Sequence, residues 1–451
     1  MTTHSPGASS VSRLLLVSAL TSSIGSFLFG FDTAVIAGTT SSLREVFSLD
    51  ESQIGFTVSS ALMGAVVGAA AVGKPCERFG RVRTLFVLAV LYLVSVVGSA
   101  GAWNAASLMV FRFIGGLAVG GSSVVSPMYI TEITPPKRRG LLVAISQLNI
   151  VAGILAALVS NYIIAGVVGL APDSNAWRWM FGVEALPSVL FLGSVLLIPE
   201  SPRWLARRGR RDEALSTLKR LGYEDAGDEL DRIDSSFHRG TSATGSLLNR
   251  RHLKPLLLVF ALAAFNQLDG INAILYYITD IFRMAGFAET DAFKQSAVVG
   301  GVNLVFTIVG MALIDRIGRR QLLLIGSVTF MLSHLLAAWV FFTGTGGWLA
   351  VLAAAGIVAS HAYSQGAVIW VCINELLPNA IRAAGSSAAC FVLWGLAIVV
   401  STAFPVVISS WGGAVFVFFA VMMALQFVVV ACFMPETRGR SLEEIEGTLE
   451  G

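Results

Sequence analysis

Ser26-Phe27-Leu28-Phe29-Gly30-Phe31-Asp32-Thr33-Ala34-Val35-Ile36-Ala37-Gly38 closes an apolar run that begins at Leu14. A helix needs about 20 apolar residues to cross the hydrocarbon of a bilayer, and this run is long enough. One carboxylate, Asp32, sits inside it. A charge at such a depth costs roughly 2.5–3.5 kcal/mol even on a lenient insertion scale, so it calls for a partner or a task.

The composition agrees with a membrane setting. Of 451 residues, 55% are hydrophobic and only 13% are charged, against about 25% charged in a soluble domain. With a mean hydropathy of +0.75, the chain reads as an all-α integral membrane protein whose apolar surface faces lipid. A net charge of +3 gives no ground for a nucleic-acid partner. Cys76, Cys372, Cys390 and Cys432 are scattered with no CxxC pair, and the histidines are equally dispersed. Neither a disulfide framework, a metal site nor a cofactor is expected. The first apolar run is too long, and carries an acid, for a cleavable signal.

Twelve apolar runs are predicted to span, near 14–38, 54–74, 84–103, 107–131, 141–168, 177–198, 255–283, 296–314, 321–343, 348–374, 383–410 and 412–434. This divides the chain into a tail (1–12), a six-helix bundle (13–198), a linker with short amphipathic helices (199–254), a second six-helix bundle (255–434) and a C-terminal tail (435–451). The basic residues then set the orientation. Arg13, Lys74, Arg78, Arg81, Arg83, Lys137, Arg138, Arg139, the linker cations, Arg316, Arg319, Arg320, Arg382, Arg438 and Arg440 fall on one side. The opposite loops hold Arg44, Arg178, Arg283 and Lys294. The positive-inside rule puts both termini and the linker in the cytoplasm of a cell membrane.

The chain also reads as a duplication. Glu77-Arg78-Phe79-Gly80-Arg81 recurs as Asp315-Arg316-Ile317-Gly318-Arg319. Glu132-x-x-Pro135-x-x-x-Arg139 recurs as Glu375-x-x-Pro378-x-x-x-Arg382, and Pro199-Glu200-Ser201-Pro202-Arg203 is answered by Pro435-Glu436-Thr437-Arg438. The offsets are nearly constant and correspond to six spans, which implies parallel halves with a ligand expected between them near the midplane. Acids and arginines at these helix ends suit a cytoplasmic gate of charge-assisted bonds across the halves. A single such cluster would be only a solvated helix end.

As a set, these motifs resemble the signature of the sugar porters of the major facilitator superfamily, from Phe27 to about Leu442. The resemblance implies a twelve-helix fold, alternating access by rocking of two bundles, and a monosaccharide-like substrate. Carried over by position, Gln147, Gln267, Asn272, Asn303 and Trp370 resemble sugar-contacting residues. Asn266 stands where many members have glutamine, and Tyr277 matches an extracellular gating tyrosine. Interhelical glue is the competing reading for any single amide. Gln267 and Asn272 lie about 140° apart on a regular helix, so they share a face only if Gly270 bends or unwinds it. Ala367 replaces a common proline, which suggests a softer helix break. Leu393 replaces a polar residue, which suggests one lost hydroxyl contact. Asp269 stands open among a second protonatable group, a sugar acceptor and an acid facing water.

Arg112 is the one basic residue deep in a span. It lies about 6–8 Å below the outer end of the fourth helix at about 1.5 Å per residue, the depth of Asp32 on the first. The two are a natural pair. A carboxylate beside a guanidinium stays ionised, and one left alone in an apolar surround takes a proton. An aspartate at this position resembles the proton-coupled symporters, whereas facilitators carry a neutral residue. The expectation is therefore import of a sugar with a proton by a protein that works as a monomer. A permanent ion pair in a uniporter is the alternative, and a sugar sensor is a further one. For an enzyme the sequence offers no clustered metal ligands, no nucleophile with an evident base and no cofactor motif. Glu184, in Trp177-Arg178-Trp179-Met180-Phe181-Gly182-Val183-Glu184, is left unassigned.

Overall fold

The computed structural model describes residues 12–135, 139–171, 174–238, 249–378, 380–440 and 442–450. The tail 1–11, Lys137, Arg138, linker residues 239–248 and Gly451 lie outside the described residues, as does the side chain of Arg139.

Helices account for all the regular structure among the described residues. The first span is Arg13–Val35, extended by a 3-10 turn at Ile36–Gly38. Glu51–Ala71, Arg81–Ala100, Ala105–Ile133 and Arg139–Val168 form the second to fifth. In the other half, Glu289–Ile317, Arg319–Thr343, Arg382–Trp411 and Ala414–Phe433 form the eighth, ninth, eleventh and twelfth.

Three spans are broken. The sixth consists of Ala176–Gly182 and Ala185–Val195, with Val183 and Glu184 between them. Neither piece alone reaches the about 20 residues that a crossing requires, so among the described residues eleven helices are long and apolar enough to span where twelve runs were expected. The seventh is split into Arg250–Leu268 and Ile271–Met284, and the tenth into Trp348–Tyr363 and Gln365–Glu375. The tenth breaks at Ser364 (φ −111°, ψ −89°), without a proline at 367.

Small residues let the helices of the first half close up. A Cβ on Gly116 would stand 2.0 Å from the Ala61 carbonyl oxygen, and one on Gly120 1.9 Å from that of Ala65. Backbones of the second and fourth spans thus touch, as small residues at a membrane helix interface allow.

Ser12 donates to the Arg220 carbonyl (3.0 Å) and Ile445 packs beside Leu256, so both ends of the chain and the linker share one face, here the terminal face. The linker forms Pro202–Arg207, Arg211–Arg220 and Ala226–His238, joined by a small core around Trp204, Leu218 and Leu230. Toward the opposite, distal face a single apolar core takes in residues of both halves, including Phe31, Ile36, Trp177, Tyr277 and Phe404. Each half has a separate core besides, one around Leu85, Tyr129 and Ile133 and one around Leu256, Cys372 and Val430.

Candidate functional site

Asp32 and Arg112 meet as the depth argument required. An Arg112 Nη1–H donates to the Asp32 carboxylate, and Nη2–H donates to the Asp32 carbonyl at 3.2 Å. Both side chains are buried, at 2% and 7% exposure for the arginine and the acid. The guanidinium lies over the Phe181 ring at 5.6 Å. Glu184, at the break of the sixth span, is buried within electrostatic reach of both members. Its Oε1 and the Arg112 Nε have no hydrogen-bond partner among the described residues. Tyr276, from the other half, stands beside Thr33 and within reach of the same pair. A buried pair of this kind is held by geometry, since losing either partner leaves an uncompensated charge. Sequence reading left Glu184 unassigned because its partners lie on other helices.

The second constellation is built on the break in the seventh span. Gly270 adopts φ +77°, a left-handed conformation open to glycine at little cost. The turn brings the flanking amides together, as a regular helix could not. Asn272 donates to Gln267 (2.6 Å), Gln267 to Asn266 (2.9 Å) and Asn266 to Gln365 (3.5 Å). Gln365 donates in turn to Gln426, and Gln426 to Ser327 (3.0 Å). This relay crosses the seventh, tenth, twelfth and ninth spans. Gln426 and Ser327 were missed in the sequence, although a lone amide in the apolar run Ala414–Phe433 was a usable signal. Asn303 is buried on the eighth span and Gln147 half-buried on the fifth. Trp370 is 42% exposed, so it is not a core-packing tryptophan. Leu393 is packed into the second half's own core.

Asp269 is fully buried. One carboxylate oxygen accepts the Ile271 N–H (2.9 Å), the other faces His361 Nδ1 (2.8 Å), and its carbonyl accepts from His334 Nε2 (2.9 Å).

At the distal face Tyr277 donates to the Ser401 carbonyl (2.9 Å) and stacks on Phe404 at 5.5 Å. The halves are tied there by Arg44 to Asp280 (3.2 Å) and by Thr402 to Ser59 (2.8 Å). Arg44 also holds Glu51 (3.0 Å). Burial opposes the Arg44 charge, but the carboxylates of Asp280 and Glu51 outweigh it and raise the arginine's pKa.

The motif residues of the terminal face bond within their own halves. Arg81 makes a two-pronged bond to Glu132 (2.8 and 2.7 Å), and Arg319 reaches Glu375 (3.4 Å) and Asp315 (3.0 Å). Glu200 accepts the N–H groups of Arg81 (2.9 Å) and Val82 (3.2 Å), while Glu436 accepts those of Arg319 (3.0 Å) and Arg320 (3.1 Å). Both acids therefore cap the N-terminus of an earlier span of their own half, the third for Glu200 and the ninth for Glu436, where the helix dipole favours an anion. Burial raises the Glu200 pKa even so, against the opposing pull of those N–H bonds. Glu77 pairs with Arg207 of the linker (3.4 Å). Arg78 and Arg203 are exposed, Arg316 lends its carbonyl to Arg438, and Arg382 donates to the Leu377 carbonyl (3.2 and 3.0 Å). Bonds across the halves were expected of this set. With the distal face closed, the named pairs are satisfied at home instead.

Comparison with known proteins agrees with this architecture. A family model described as "Sugar (and other) transporter" matches residues 18–449. The arabinose-proton symporter of Bacillus subtilis is 38% identical over 94% of this chain and 92% of its own length. A glucose transport protein of Synechocystis is 34% identical over 98% of each chain. Among solved structures, the inward-open xylose transporter XylE from E. coli superposes with a TM-score of 0.86 at 33% identity, covering 96% of this chain and 99% of that one. A XylE structure bound to 6-bromo-6-deoxy-D-glucose gives 0.79 at 34%, covering 98% of this chain and all of the other. From motif to fold to relatives, the chain belongs to the sugar transporter family of the major facilitator superfamily.

Proposed function

We propose that this protein imports a monosaccharide together with a proton by alternating access, with Asp32 as the proton site and Arg112 as its switchable partner. The observation that carries the reading is the buried pair, one carboxylate and one guanidinium on two helices of the same half. When the pair is closed the acid stays ionised. When the helices part in the other state, an isolated acid in an apolar surround takes up a proton. Relatives named as proton symporters for arabinose and xylose support the coupling.

In this reading Gln147, Asn266, Gln267, Asn272, Asn303 and Trp370 hold the sugar, with the Trp370 ring against its apolar face. Tyr277 gates the distal face, which is extracellular. The acid and arginine motifs of the terminal face, Arg139 included, gate the cytoplasmic side in the alternate state. Both termini are cytoplasmic, and a monomer suffices.

The test is Asp32→Asn in proteoliposomes with an imposed proton gradient. The variant should lose accumulation against a sugar gradient while keeping sugar exchange. Accumulation retained by the variant would sink the coupling role and favour the uniporter.

A further inference from the structure

The seventh and tenth spans both break, and one bond joins the breaks. Asp269 ends the first piece of the seventh span and caps the second through its contact with the Ile271 N–H. His361 lies in the last turn before Ser364, where the tenth span breaks, and its carbonyl accepts the Ser364 N–H (3.2 Å). The 2.8 Å contact between the two side chains is thus a clamp across both discontinuities. The residues just beyond are Gln267 and Asn272 on one side and Gln365 and Trp370 on the other.

Resting on the sugar-transport reading above, we propose that Asp269 and His361 form a second proton-responsive site, in the half opposite Asp32, which positions the sugar-binding amides. Asp269 is fully buried, whereas the His361 side chain keeps 18% of its surface exposed, so the histidine is the member of the pair that a proton reaches first. With neutral imidazole, one full negative charge remains in a dry site. A single proton neutralises the pair whichever atom carries it, and it belongs to the pair jointly. His334 completes the cradle without competing for that proton. Its Nε2–H donates to the Asp269 carbonyl, its Nδ1 has no partner among the described residues, and its ring is stacked near Phe330 and Phe416.

No other ionisable chain of the neighbouring elements competes. The twelfth span, Ala414–Phe433, carries no charged residue. The eighth has charges only toward its ends, at Glu289, Asp291, Lys294, Asp315 and Arg316. The ninth adds Arg319 and Arg320 at its start, and the tenth Glu375 at its end. On the seventh, Arg250, Arg251, His252 and Lys254 open the span, while Asp280 and Arg283 lie at the distal end. The Tyr363 hydroxyl is engaged by Thr329 (2.5 Å).

Without the proton the bond is already assisted by one charge, that of the carboxylate; with the proton both partners are ionised, and the bond is shorter and stronger still. The clamp is therefore tightest with the proton on, and sugar is held best in that state. By reciprocity, sugar raises the affinity of the pair for the proton.

The experiment is equilibrium binding of D-xylose, L-arabinose and D-glucose to the purified full-length protein by calorimetry, at about pH 5.5 and about pH 8.5, which bracket the ordinary histidine range. Asp32→Asn serves as the background that removes the first proton site. Affinity should be about three- to tenfold higher at the acid pH, the margin that a second charge adds to a bond already made to a carboxylate, and this acid preference should persist in Asp32→Asn. His361→Gln keeps a polar contact but cannot take the proton, and Asp269→Asn keeps the acceptor for Ile271. Each should flatten the pH profile, and combining them should add nothing. An acid preference surviving in both single variants overturns the inference and leaves the transport reading intact. Wild-type protein that binds no sugar of the panel overturns both. Should Asp269→Asn not fold, Asp269→Ser, which keeps an oxygen acceptor for the Ile271 N–H and removes the acid, takes its place.

Discussion

Asn272 donates to Gln267 across a helix break, so neither amide can reorient without the other. Removing one leaves its partner, and any hydroxyl bound there, short of a hydrogen bond, which costs about 1–3 kcal/mol in a buried site. Asn272→Ala should accordingly raise the half-saturation concentration of sugar exchange by about 5- to 150-fold with a smaller change in maximal rate, as uniform binding predicts. Counterflow in proteoliposomes checks this. The same scale shows what sequence can reveal. The Asp32–Arg112 pair was legible because helix rise alone assigns both residues a depth. The Asp269–His361 contact was not, since its members stand 92 positions apart and dispersed histidines carry no spacing signal. Glu184 was visible as a charge in a span, but its neighbours were not.

At the scale of elements, periodicity found the runs and did not find where they break. Gly270 was a sufficient hint for the seventh span. Neither Ser364 nor Glu184 is a glycine or a proline, so the residue at the break does not announce it. Ala367 in place of proline suggested a softer break in the tenth span, yet the backbone turns sharply at Ser364, three residues after His361. Gly270→Val combines a left-handed φ with a Cβ 2.8 Å from the Phe419 ring. It should separate Asn272 from Gln267 and abolish sugar exchange while leaving the protein in the membrane. A variant with wild-type exchange would show that the turn does not position these amides. Gly116→Val tests packing alone. Its side chain would drive the second and fourth spans apart at Ala61, and overpacking of this sort costs about 1–3 kcal/mol. A lower melting temperature in detergent, with sugar affinity kept, is the expected result.

Across the whole molecule, the duplicated motifs and sorted cations were enough to yield two halves and a terminal face, because both are properties of the entire chain. The conformational state was beyond their reach, since it depends on how the halves meet. The shared distal core and the Arg44–Asp280 contact give the state its shape: closed at that face. Arg44 has 27% and Asp280 12% of its side chain exposed, so this link is partly shielded from solvent. Asp280→Asn removes the charge on one side of the contact and should shift the population toward opening of the distal face by about 5- to 30-fold, the equivalent of about 1–2 kcal/mol. The measure is labelling of a cysteine placed at Ser59, which Thr402 covers in the closed state, by a membrane-impermeant maleimide. Faster labelling supports the latch, and an unchanged rate removes it.

The caps at Glu200 and Glu436 also bear on how the protein is made. Arg81 begins a span whose first turn is completed by an acid 119 positions further along the chain, and Arg319 waits for one 117 positions further. During synthesis the third and ninth helices must therefore enter the bilayer with their leading amides uncapped. Each half can lock only when its sixth helix has followed and its closing acid has left the ribosome. Glu200 and Glu436 thus act as completion marks, one per half. A nascent chain stalled just before either should expose the corresponding arginine-rich turn to trypsin, and a chain released just after it should not.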